Sequence, residues 1–159
     1  MKRTVQIFLL ALGALLALEV VADEGGKDQK KKLKIIPIPV YLGNSDIDSG
    51  VISKPLFDSL VKQGLTARDS GGRIYDVKSF MFTFCERNLY EDSVGNPVII
   101  TDYLSEFCFD SKLKGYQLQA LLERSKWGDT VIFEKIMLEA ADSTKAQGFG
   151  KAMKLIIGR

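Results

Sequence analysis

Arg73-Ile74-Tyr75-Asp76-Val77-Lys78-Ser79-Phe80-Met81-Phe82-Thr83-Phe84-Cys85-Glu86 is the stretch whose reading decides the fold. Phe80, Phe82 and Phe84 recur at period two, and Val77, Met81 and Cys85 fill the opposite face. Alternation with apolar residues on both sides predicts a central β-strand. Upstream, Asp69-Ser70-Gly71-Gly72 is a turn by composition, and downstream Gly95-Asn96-Pro97 breaks the chain before a strand over residues 98–103, which residues 106–109 extend. Residues 130–138 (TVIFEKIML) and 151–157 read as two further strands, joined by a polar loop over 142–150.

Residues 33–42 (LKIIPIPVYL) are β-branched or apolar, but Pro37 and Pro39 each lack a ladder donor, so this segment predicts an edge strand. A turn-rich stretch over 43–50 leads to Ser53, a helix cap with Pro55 in the first turn. Leu56, Phe57, Leu60 and Val61 then form one apolar face before Gly64 stops the helix. A second helix is predicted over 116–125 from the shared face of Leu118, Leu121 and Leu122, ended by Gly128. The order implies an α+β, mainly β class: an antiparallel sheet or sandwich-like single domain with two short helices, covering about residues 35–157. The last strand carries no proline and is suited to a sheet edge or a dimer seam.

The N-terminus has Lys2 and Arg3, an apolar run over residues 7–18, and small residues at Val20 and Ala22. That is the pattern of a cleaved secretory signal over residues 1–22, because about twelve apolar residues reach only ~18 Å as a helix against a hydrocarbon core of about 30 Å. The expectation is a periplasmic or secreted protein with no stable membrane insertion after cleavage. Residues 23–34, with Gly25, Gly26 and Lys30-Lys31-Lys32, read as a solvated polar linker.

The full chain carries 22 Lys+Arg against 20 Asp+Glu, and its aromatics do not interleave with basic residues, so nucleic acid is not an expected partner. It contains no histidine, which removes Ser-His-Asp and Cys-His catalysis and the common zinc shells. Cys85 and Cys108 are the only thiols. An even count outside the cytoplasm favours a disulfide closing a loop of roughly 24 residues, worth about 3 kcal/mol, with two buried thiols or a redox pair as the alternatives. A redox pair would ordinarily be Cys-x-x-Cys, which is absent.

Asn44-Ser45-Asp46-Ile47-Asp48-Ser49-Gly50 places oxygen ligands at alternate positions, but Pro55 stands where a calcium loop needs its closing Glu. A turn explains it better, and no metal or cofactor is expected. Glu86, Glu91, Asp92, Asp102 and Glu134 are the candidate carboxylates for an acid–base pair, but spacing in sequence selects none of them. Gly148-Phe149-Gly150 lacks the Lys-Ser/Thr of a phosphate loop. No catalytic residue is assigned. Trp127, at the helix-to-strand corner between Lys126 and Gly128, is the candidate for an exposed contact, although a Trp at such a corner more often covers the core edge.

The order of elements resembles the C-terminal periplasmic domain of GldM, a gliding-motility and type IX secretion motor protein. The matching residues are the strand 36–40 with its prolines, the helix start Gly50-Val51-Ile52-Ser53-Lys54, the return Gly64-Leu65-Thr66-Ala67, and the strand Val77-Lys78-Ser79-Phe80. Most distinctive is Leu121-Leu122 followed by Gly128-x-x-Val131-x-Phe133-x-x-Ile136. The resemblance implies a non-catalytic envelope domain that contacts protein partners, secretion or gliding machinery among them, commonly within a dimeric assembly. The chain lacks the family's transmembrane helix and preceding periplasmic domains, so the fold transfers better than the motor role.

The leading expectation is therefore a protein-interaction domain rather than an enzyme, with a homodimer among its possible assemblies. A secreted small-ligand or glycan-binding module is the alternative, drawing on Tyr41, Tyr75, Tyr90, Tyr103, Tyr116 and Trp127 as exposed aromatics.

Overall fold

A computed structural model describes residues 37–159. The expected signal segment 1–22 and linker 23–34 lie outside them. Eight strands form one curled hydrogen-bonded sheet: β1 (Val40–Leu42), β2 (Gly50–Ser53), β3 (Leu65–Arg68), β4 (Ile74–Glu91), β5 (Pro97–Cys108), β6 (Thr130–Ala140), β7 (Gln147–Phe149) and β8 (Met153–Gly158). Two helices, α1 (Lys54–Val61) and α2 (Gly115–Arg124), follow β2 and β5. The main path runs β1-β3-β4-β6-β8-β2, with β5 on β4 and β7 on β6. All pairings are antiparallel except β2 on β8. The class is thus α+β and mainly β, built on a single sheet rather than two stacked ones.

The central strand is β4, at 18 residues longer than its alternation suggests. Phe80, Phe82 and Phe84 are buried, and Phe133 of β6 packs against Phe80 and Phe82 with ring centroids 5.6 and 5.7 Å apart. Phe57, Leu60 and Val61 of α1 and Leu121 of α2 complete the same core. Lys54 at the start of α1 pairs with Asp58 and donates to the Leu122 carbonyl at 3.1 Å, so it bridges the two helices.

Val77 departs from the simple alternation. It is buried with the phenylalanines instead of facing away from them, because the β4–β6 register shifts between Val77 and Ser79 and again between Ser79 and Met81. Bulges in both strands move the core-facing set from odd to even positions: Val77 then Phe80, Phe82, Phe84 in β4, and Val131, Phe133 then Ile136, Leu138, Ala140 in β6. Lys135 sits at the β6 bulge with φ 52°. The Val-x-Phe-x-x-Ile spacing of residues 131–136 is therefore the sequence signature of a bulge, two steps followed by three.

The ends of the sheet differ from the sequence reading in two respects. The segment 50–53 forms β2, and its parallel pairing with β8 places β8 inside the sheet between β6 and β2. Met153–Gly158 is consequently neither an edge nor a free seam. Among the described residues the expected edge strand appears at β1, three residues long, with Ile38 adding an isolated bridge to Gly150. Gly64 ends α1 as expected. Its φ of +90° suits glycine, and a Cβ there would lie 2.6 Å from the Ser111 carbonyl oxygen.

A left-handed backbone costs a non-glycine residue about 1–2 kcal/mol. Lys135→Gly is expected to leave stability unchanged or raise it by up to about 1 kcal/mol, whereas Lys135→Val lowers it by more than that, both read by urea denaturation.

Candidate protein-contact surface

The sheet has a packed face and an open one. On the open face a row runs across five strands through Val51, Ile156, Thr130, Cys85 and Tyr103, each set opposite the next. Val51 and Tyr103 are 74% and 72% exposed at its two ends. Phe107, opposite Met81, extends the apolar character along β5 and packs edge-on against Phe109 at 5.0 Å.

β5 pairs only with β4 among the described strands, and its residues are exposed along nearly its whole length. Val98, Ile100 and Leu104 project on the packed-face side, Ile99, Tyr103 and Phe107 on the open side. Beyond Cys85, β4 leaves β6, so residues 86–91 and 97–102 continue as a two-stranded arm. Such a ribbon is marginal without outside support.

The tip is closed by Asp92. Its carboxylate accepts the backbone N–H groups of Val94 and Asn96 at 2.9 and 2.8 Å, and the Asn96 contacts hold its pKa below the ordinary carboxylate value. The base is latched by polar contacts. Fully buried Asp129 accepts the Arg87 N–H and the Lys126 N–H through its two oxygens, each at 2.8 Å. Glu86 pairs with Arg124 and with Lys126 at 3.3 Å, and Lys126 Nζ also donates to Asn88 Oδ1 at 3.2 Å. Asn88 and the Tyr90 hydroxyl then donate to Asp102, whose charge raises the Tyr90 pKa.

The carboxylates considered from sequence fall at five different places around this arm and β6. Glu86 and Asp102 do face each other across β4 and β5, but each is engaged in the latch. Asp92 is held by its own turn, Glu91 is exposed near the tip, and Glu134 lies on β6 opposite Met81. The calcium-like loop is occupied internally: the Ser45 hydroxyl donates to the Leu42 carbonyl, and Asp48 pairs with Lys151 at 2.9 Å.

Cys85 and Cys108 do not form the expected disulfide; both are free and buried. Cys85 stands opposite Tyr103 on the open face and Cys108 opposite Phe80 on the packed face. Five residue steps separate them along the ladder, about 17 Å, far beyond the reach of a disulfide. Burial pushes both thiol pKa values up, which keeps them protonated and poorly nucleophilic.

Trp127 is 64% exposed, with the Arg159 guanidinium 4.6 Å from its ring. Together with Arg87, Asn88, Leu89 and Ile99 it lines an open cleft of about 270 Å³ beside the arm. Sequence reasoning missed the arm itself, which carries the densest exposed apolar residues. The signal was present in Val98-Ile99-Ile100, three consecutive apolar residues that a half-buried strand would not need. No helix among the described residues is long and apolar enough to cross a membrane. No family model and no curated protein matches the chain.

Truncation at Asp129 leaves two part-buried N–H groups without an acceptor. Asp129→Ala is expected to cost about 2–4 kcal/mol in urea denaturation. A bulky thiol reagent near neutral pH should leave both cysteines unmodified in the native protein and label both after denaturation without reductant.

Proposed function

We propose that this chain is a non-catalytic protein-interaction domain that makes contact through the β4–β5 arm and the β5 edge. The observation that supports this reading is the edge of β5, apolar on both faces and unpaired on its outer side among the described residues. Unprotected edges of this length are uncommon in monomers, which usually carry lysine, proline or a bulge there. Contiguous exposed apolar side chains likewise mark contact surfaces. The resemblance to the GldM end domain adds the compartment: a partner in the cell envelope, reached after export by the N-terminal signal.

Affinity purification of the tagged chain from its native envelope, compared with a Leu89→Lys/Ile99→Glu variant that sets opposite charges across the arm, tests this. These side chains are 72% and 59% exposed, so the variant should melt within a few degrees of the parent. Specific partners recovered with the parent should fall at least tenfold with the variant. Equal recovery with both chains would refute the arm as the contact site.

A second reading, a small-ligand or glycan-binding module, is favoured by one feature, the Trp127 cleft with its exposed aromatic wall. Binding on a glycan array that is lost with Trp127→Ala would establish it, and flat binding would dismiss it.

A further inference from the structure

We propose that two copies of this chain associate by pairing β5 with β5, antiparallel, about a two-fold axis at Tyr103, so that two sheets become one. The proposal rests on the reading of β5 as a contact edge and names its occupant.

The other free ends of the sheet are guarded. β1 has three residues and β2 four, and Pro37 and Pro39 precede β1. β5 has twelve residues, about 40 Å of edge, no lysine, and a proline only at its first position.

Self-pairing also selects a register. In an antiparallel two-fold pair, positions whose numbers add to a constant face each other, with both side chains on one face of the joined sheet. An axis at Asp102 would set that carboxylate against its own copy, and an axis at Leu104 would set Asp102 against Glu106. Like charges directly opposite are destabilising. An axis at Tyr103 avoids both and retains residues 98–108 in the overlap, about eleven of the twelve positions. On the open face it brings Tyr103 against Tyr103, Thr101 against Ser105, and Ile99 against Phe107. Aromatic, hydroxyl and aromatic–β-branched pairs are those that stabilise cross-strand contacts. Across the other face Leu104 meets Asp102 and Ile100 meets Glu106, with no acid opposite an acid.

The exposed apolar side chains of β5 run from 37% exposed at Val98 to 72% at Tyr103. They offer on the order of 600 Å² per copy, near the ~800 Å² per partner of a standard interface, before backbone pairing is counted.

Light scattering and site-directed crosslinking on the purified chain test the proposal. The parent is expected to run as a dimer, and Tyr103→Lys, which sets two ammonium groups at the axis, as a folded monomer with an unchanged circular dichroism spectrum. Under mild oxidation Tyr103→Cys should crosslink to itself. Thr101→Cys and Ser105→Cys should each fail alone and crosslink when mixed. A parent that stays monomeric up to its solubility limit overturns the proposal, as does a dimer that Tyr103→Lys leaves intact. Crosslinking of Thr101→Cys alone in preference to Tyr103→Cys overturns the register. If the parent is monomeric while the Leu89→Lys/Ile99→Glu variant still loses its envelope partners, self-pairing falls and the interaction reading stands.

Discussion

Phe133 lies between Phe80 and Phe82, and the rest of the domain is organised around that crossing of β4 and β6. β4 and β6 each serve three partners, β4 taking β3 and β5 along one side and β6 along the other. β6 in turn holds β7 and β8, and β8 holds β2. Because the side-chain period of a strand is two, a pair of strands this long can keep one face buried along its curl only by changing phase where the sheet bends. The paired bulges between Val77 and Met81 and at Lys135 make that change. They let Val77 and Phe84, seven residues apart and of opposite parity, face the same core.

Much of this was legible in the sequence, and the misses have one cause. The phenylalanine alternation, the Ser53-to-Gly64 helix and the Leu118-Leu121-Leu122 face all report local geometry, and local geometry is what single-chain patterning encodes. The pairing of β2 with β8 brings together residues about a hundred positions apart, and nothing in Gly50-Val51-Ile52-Ser53 announces it. A strand of four residues has too short a pattern to stand out beside the turn preceding it. The absence of the disulfide follows the same logic: counting cysteines gives their parity, while the β4–β5 register that sets them five steps apart is tertiary information. The exposure of Trp127 was not legible from its corner position, where such a side chain more often covers the core edge. Val98-Ile99-Ile100 marked β5 as apolar on both faces, but only the topology leaves that strand without a second partner among the described strands.

The arm illustrates how an apolar contact surface is kept from collapsing onto its own domain. A hairpin bearing Leu89, Tyr90, Val98, Ile99 and Ile100 would gain from folding back against any apolar neighbour at about 25 cal/mol per Å². Its base instead engages polar partners at fixed positions. Asp129 grips the backbone at Arg87, and Glu86 is held by Arg124 and Lys126 from the end of α2 and the turn after it. Hydrogen bonds of this kind are directional where apolar contact is not, so they fix the arm's angle as well as its attachment.

The division of labour has a consequence for energetics. Asp129 is fully buried, and a buried carboxylate is tolerable only when its lone pairs are met. Two backbone N–H donors and the nearby Lys126 ammonium meet them, and one donor is Arg87, the second residue past the point where β4 parts from β6. The carboxylate thus replaces the missing strand at the first place a ladder partner is lost. Farther out, from Asn88 to Glu91, no described strand takes over on that side, and none pairs with the outer side of β5. Order in the arm then depends on a few contacts at its root and on whatever pairs with its edges. A segment built this way sits near the low-stability end of the domain, where binding has the most conformational freedom to remove and the most backbone hydrogen bonds to complete.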